Sequence, residues 1–282
     1  MRKTSVEGGF AHTYGVELLL EAPPQISKSD LIQALRRHCG RVDALDGDEE
    51  DGLLSFVFGD FPIIYADKMV AAQAFMAVSD KPLDAQVLEP ALQQSWDWPE
   101  VRVASDRHHC TLLVTDLMSS GLDYKRRLGL FTRVVQSVVE VVSCLAIHWR
   151  RSQRLVDPAV YLASLRDADD NSPIFPAVNV RFFTIENEAP GEMLMDTLGL
   201  TALGIPDLQC HFLGLDPKEI AQMLYNSALY LYENGDVIND NETIQGLSER
   251  QRWVCRHEDS LIAPERIVLD VNPGRPYAAG GR

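Results

Sequence analysis

Apolar positions along the chain fall into two kinds of rhythm. Val16 to Leu20 is a short, nearly continuous apolar run and predicts a buried strand. Ser27 then reads as a helix N-cap, with Asp30 three residues on and Ile26 and Leu31 placed as a hydrophobic staple. Leu31, Leu35 and Cys39 form the inner stripe, and Gly40 ends the helix. Leu53 to Phe58 and Phe61 to Tyr65 read as two strands, with Gly59-Asp60 as a type II′ turn between them. A helix is expected over Asp84 to Ser95, ending before Trp96-Asp97-Trp98-Pro99, and a strand over Cys110 to Thr115. Leu128, Phe131, Val135, Val138, Val142 and Leu145 recur at helical spacing and predict one long helix from Asp123 to about Leu145.

The second half is more polar at first. Arg166 to Pro176 carries several aspartates and two prolines and reads as a loop. Val178 to Ile185 and Met193 to Thr197 are expected to pair across a turn at 187–191. Asp216-Pro217-Lys218-Glu219 opens a helix by its cap and its proline in the first turn. Ile220, Leu224, Ala228 and Leu231 line its inner face, and Gly235 closes it. Ile267 to Leu269 reads as a last strand. The expected class is α+β: a mixed, largely antiparallel sheet or sheets with helices packed on one face, as two α/β halves in one compact body. The expected division is a flexible N-terminus 1–14, an N-terminal half 15–150, a C-terminal half 151–272 and a disordered tail 273–282.

The 282 residues suffice for a sizeable core without disulfide or metal support. Acidic residues outnumber basic ones by 41 to 26, a net charge of −15, which argues against nucleic-acid phosphate or an anionic membrane as the partner. Five dispersed cysteines do not suggest a disulfide framework, so a reducing, cytoplasmic setting is expected. The basic start Met1-Arg2-Lys3 is followed by polar residues where a secretory signal needs an apolar run. The most apolar stretch, 134–147, is interrupted by polar residues and is shorter than the roughly 20 residues a membrane span needs.

Candidate chemistry is sparse. The run Asp46-Gly47-Asp48-Glu49-Glu50-Asp51 resembles a calcium loop in charge only. Asp51 occupies the position that needs glycine, and Val57 the one that needs a bidentate carboxylate, so a solvated turn is the plainer reading. Histidines sit beside cysteines at His38-Cys39, His109-Cys110 and Cys210-His211, yet adjacent residues on a strand face opposite ways. Only Cys144/His148, at helix spacing, and Cys255/His257, at strand spacing, could share a face, and structural thiols are the plainer reading. Trp96 and Trp98 are expected on one face as a lid on the core, and Tyr225, Tyr230 and Tyr232 as the rim of a helix. Arg126-Arg127 and Arg150-Arg151 flank the long helix, where the second pair suits its dipole. No catalytic, cofactor or metal-ligand residue is assigned, and no cofactor is expected.

Several segments together resemble an uncharacterised bacterial family, the domain-of-unknown-function family four-two-six-one. They include Val16 to Leu20 with Pro23-Pro24, Trp96-Asp97-Trp98-Pro99, Leu112 to Thr115, and Ile147-His148-Trp149 taken as the long helix's end. Leu198-Gly199-Leu200 through Leu208 also matches, as does Leu224-Tyr225-Asn226 with Tyr230 to Gly235 leading into Asp240-Asn241-Glu242-Thr243-Ile244-Gln245-Gly246. The family usually reads Asp-Gly-Asp-Thr-Ile-Gly in that last place; here Asn241 and Glu242 stand in the middle and the glycine comes one position later. Relatives of this kind are associated with secretion and toxin–immunity systems. The resemblance and the acidic charge imply a non-enzymatic interaction factor, an immunity or accessory protein of a toxin or type VI secretion system. Its expected partner is another protein, such as a basic toxin or secretion component. The alternatives are a hydrolase with an acid, His or Cys site between the halves, and a regulatory or scaffolding homodimer. The expected partner-binding residues are Asp46, Asp48, Glu49, Asp51, Asp167, Asp169 and Asp170.

Overall fold

A computed structural model describes residues 11–45, 53–65, 67–166, 173–185 and 191–280. The chain divides into two compact units. One is His12–Pro176; the other comprises Ala177 onwards, together with Ala11 from the start of the chain. Ala11 joins the second unit by donating its N–H to the Ala202 carbonyl at 3.1 Å.

The first unit is built on a seven-stranded antiparallel sheet. Its strands are β1 (Gly15–Leu20), β2 (Val42–Ala44), β3 (Leu53–Tyr65), β4 (Lys68–Ser79), β5 (Cys110–Leu117), β6 (Ala146–Trp149) and β7 (Arg154–Val156), in the order β2-β3-β4-β5-β1-β6-β7. Central β1 is buried on both faces, which accounts for its uninterrupted apolar run. On one face Val16 lies opposite Trp149. There Phe131 of helix α4 (Tyr124–Val141) meets the edge of Trp149 at 5.9 Å and that of Tyr14 at 5.3 Å. On the other face Leu19 and Ala146 pack with Leu88 and Ala91 of α2 (Ala85–Gln93) and Val101 of α3 (Val101–Asp106). Helix α1 (Lys28–Cys39) packs on α4. As expected, Ser27 Oγ accepts from the Asp30 N–H at 3.3 Å and Gly40 is the C-cap.

Four expectations for this unit change. Gly59-Asp60 is not a hairpin turn. β3 runs through it with a bulge between Phe58 and Pro62, because Asp60 is held by Arg41 at 2.8 Å and Gly59 donates to the Arg41 carbonyl at 2.9 Å. The long helix stops at Val141, where Val142 turns extended, so Ile147-His148-Trp149 is strand β6. Arg150-Arg151 therefore follow a strand rather than a helix end. Trp96 is 64% exposed while Trp98 packs against the core, since the segment is a turn in which strand alternation does not hold. The boundary between units falls at 176/177, not 150/151, because β7 pairs with β6 and Tyr161 of α5 (Pro158–Ser164) is buried, its hydroxyl donating to the Thr132 carbonyl at 2.9 Å.

The second unit has a six-stranded sheet. Its strands are β8 (Asn179–Thr184), β9 (Glu192–Leu198), β10 (Asp207–Leu213), β11 (Thr243–Gln245), β12 (Arg252–Asp259) and β13 (Ile267–Asn272), in the order β11-β12-β13-β10-β9-β8. Only β10–β13 is a parallel pair among them. Helix α6 (Pro217–Asn234) begins as expected, with Asp216 accepting from the Lys218 N–H at 2.9 Å, and ends at Gly235. Gly199, at φ +136, lies so close to Ala177 that a Cβ would overlap that residue's carbonyl oxygen. Residues 273–280, expected to be disordered, run back along β10. Asn272 caps a left-handed Gly274, the Leu213 N–H donates to the Tyr277 carbonyl at 2.8 Å, and Ala278 bridges Phe212.

Candidate functional site

The chemistry-bearing side chains of the sequence are mostly engaged in structure. In the first unit Arg127, 1% exposed, grips Asp116 at 2.6 Å, which also accepts from the Tyr14 N–H. His148 on β6 contacts Glu17 at 2.9 Å, so the helix spacing expected for Cys144/His148 is not realised. His108 accepts from the Leu83 N–H at 2.9 Å and donates to the Ser105 carbonyl.

In the second unit Asp196 lies opposite Arg181 in the β8–β9 register and receives its fork at 2.5 and 2.9 Å. Arg266 reaches the same carboxylate at 2.7 Å and Asp207 at 3.1 Å. Asp207 also accepts from Thr201 Oγ1 at 2.7 Å and the Leu200 N–H at 3.0 Å. Burial pushes its carboxyl up against the pull of Arg266.

The cysteines are free thiols, buried or half-buried. Burial pushes Cys39 and Cys144 up to about 12 and Cys255 up to about 11, and raises Cys110 and Cys210 as well. Alkylation of the native protein near pH 7 is therefore expected to be slow at all of them and fast after unfolding. Intact mass spectrometry after iodoacetamide treatment checks this, and rapid native labelling of any thiol would contradict it.

Cys255 and His257 do share a face of β12, but they part company there. Cys255 is buried, whereas His257 turns to the loop after α6, with Nδ1 2.9 Å from Asp240 and Nε2 3.1 Å from Asp236. Asp240 also accepts from the His257 N–H at 2.8 Å, and these two bonds hold its carboxyl below the ordinary value. The Asp236 bond leads in raising His257 from 6.5 to about 9. A raised histidine stabilises the fold fully below its unfolded value and loses that contribution as pH climbs through the folded one. The melting-temperature advantage of the wild type over His257→Gln is thus expected to shrink between pH 6.5 and about 9. An advantage constant across that window would show that the clamp is not ionic.

This clamp fixes one wall of a groove of about 1020 Å³ between α6 and the segment 237–247. From α6 come Glu219, Gln222, Met223, Asn226 and Tyr230, spaced as one helical face. Tyr230 is half exposed in it, while Tyr232 is buried. From the other wall come Ile238, Asn241, Glu242 and the run Thr243 to Leu247. Glu219 and Glu242 are the charged members of the lining. Asn241 stands where the resembled pattern has glycine. Its φ of 68 is left-handed, a conformation asparagine tolerates. A Cβ added to Gly246 would come within 2.5 Å of Nε1 of the buried Trp253 indole, so only glycine fits there without a shift.

All of the expected partner-binding residues, Asp46, Asp48, Glu49, Asp51, Asp167, Asp169 and Asp170, lie outside the described residues. The sequence signal for the groove was the block from Leu224 to Gly246, read there as helix rim and tight turn.

These features define a two-unit α+β protein with an open, acidic groove in its second unit. The family model of the Domain of unknown function (DUF4261) matches residues 196–272, the stretch that carries Asp196, Arg266, α6 and the whole groove; it is the family the sequence resembles. No curated protein and no solved structure matches the chain. Among the described residues, no helix is long and apolar enough to cross a membrane.

Proposed function

We propose that the protein is a non-enzymatic interaction factor, serving as an immunity or accessory protein toward a basic toxin or secretion component. The observation that carries this reading is the groove: a long open trough with a helix face for one wall, apolar and amide side chains along it, and glutamates as its charges. A net charge of −15 would speed encounter with a basic partner and make association salt-dependent. Co-expression with the product of an adjacent toxic gene tests it. The wild type should restore growth and co-purify with that product, and Tyr230→Ala with Glu219→Lys should do neither while remaining folded. Protection unchanged by those groove substitutions would refute the groove as the binding surface.

A further inference from the structure

The lining of the groove is not what a sheet face would supply. A strand presenting a face contributes alternate residues, whereas Thr243, Ile244, Gln245, Gly246 and Leu247 line it consecutively. The border of the groove is therefore the free edge of β11, the terminal strand of its sheet. The ladder shows which main-chain groups face outward. Gly246 donates to the Gln251 carbonyl at 3.2 Å and Cys255 to the Glu242 carbonyl at 2.8 Å. Bonding residues alternate along an antiparallel pair, so Glu242, Ile244 and Gly246 turn toward β12. Thr243 and Gln245 turn their N–H and C=O groups away from it. Among the described residues, no hydrogen bond occupies these outward groups.

We infer that this edge takes an extended, basic peptide segment of the partner as an added strand, lying in the trough between β11 and α6. This rests on the reading of the groove as the docking surface and specifies how docking occurs. The main-chain groups of Thr243 and Gln245 bind the incoming strand, and the side chains alternate between the trough and solvent. The charge is set by Glu219 on the helix wall and Glu242 beside the strand, with no lysine or arginine in the lining to oppose them. A three-residue edge is too short to template open-ended pairing between copies, yet it aligns one short segment.

The test uses a fluorescein-labelled heptapeptide alternating lysine and valine, with the full chain. Binding is expected by anisotropy, lost when glutamate replaces lysine. Thr243→Pro deletes one outward N–H and leaves the β12 ladder intact, because proline is tolerated where an edge N–H faces solvent. It is expected to weaken binding roughly tenfold. Should Thr243→Pro fail to fold, the same peptide N-methylated throughout decides the matter on wild-type protein, since it cannot donate to the edge; it should not bind. No binding of the lysine–valine peptide to wild type overturns strand addition. So does binding that survives both Thr243→Pro and N-methylation. If such binding still falls with Glu219→Gln, the groove stands as a docking site that uses side chains alone. Indifference to Tyr230→Ala and Glu219→Gln as well overturns the groove reading with it.

Discussion

Asp196→Ala is expected to lower the stability of the second unit by roughly 3–5 kcal/mol, the range for removing one partner of a buried ion pair. Asp196 is 3% exposed at its side chain and serves two guanidinium groups, Arg181 at 2.5 Å and Arg266 at 2.7 Å. Alanine leaves both cations buried. Arg266 keeps Asp207 at 3.1 Å, whereas Arg181 loses both bonds of its fork to the carboxylate. The cost is that of uncompensated charge rather than of lost attraction. Replacing Asp196, Arg181 and Arg266 together with apolar residues of similar volume should therefore restore much of the loss. Urea unfolding of the single and triple variants measures both effects. A single-variant loss below about 1 kcal/mol, as for exposed pairs, would mean that water reaches the cluster.

Phe131→Ala should cost the first unit a comparable amount, roughly 3–5 kcal/mol, for a different reason. Phe131 is 2% exposed and fills the angle between Tyr14 and Trp149, with its ring nearly perpendicular to the indole at 88°. Truncation removes the buried ring and two edge contacts and leaves a void that β1 and β6 are too constrained to close. Phe131→Leu keeps more of the volume and should lose less. Thermal unfolding of the wild type and both variants, followed by circular dichroism, measures the two losses. Equal losses for alanine and leucine would show that the ring contacts, not the filled volume, carry the stability.

The parts of this fold legible in the sequence are those whose causes are local. Ser27 and Gly40 around α1, and Asp216, Pro217 and Gly235 around α6, are cap chemistry satisfied within one turn. Where tertiary partners decide, local signals mislead. Gly59-Asp60 has turn chemistry, yet Arg41, eighteen residues or more away, pulls it into a bulge. Val141-Val142 carries no glycine or proline to mark the end of α4, so the helical stripe reads straight on into β6. The clamp on His257 and the cluster at Asp196 join residues far apart in the chain, and spacing cannot show them. The groove was half legible: its residues stood out as a block, but that β11 borders it by its edge follows only from the ladder.

The position of β13 bears on how the second unit can be made at all. It is the last strand of the described chain, yet it lies in the middle of its sheet, between β12 and β10. A nascent chain that has not yet delivered residues 267–272 holds β10 with one side unpaired and the β11–β12 hairpin with nothing to join. Sheet closure must wait until residues 267–272 have emerged, and any ribosome stall or premature stop before Ile267 leaves a central strand position empty rather than trimming an outer one.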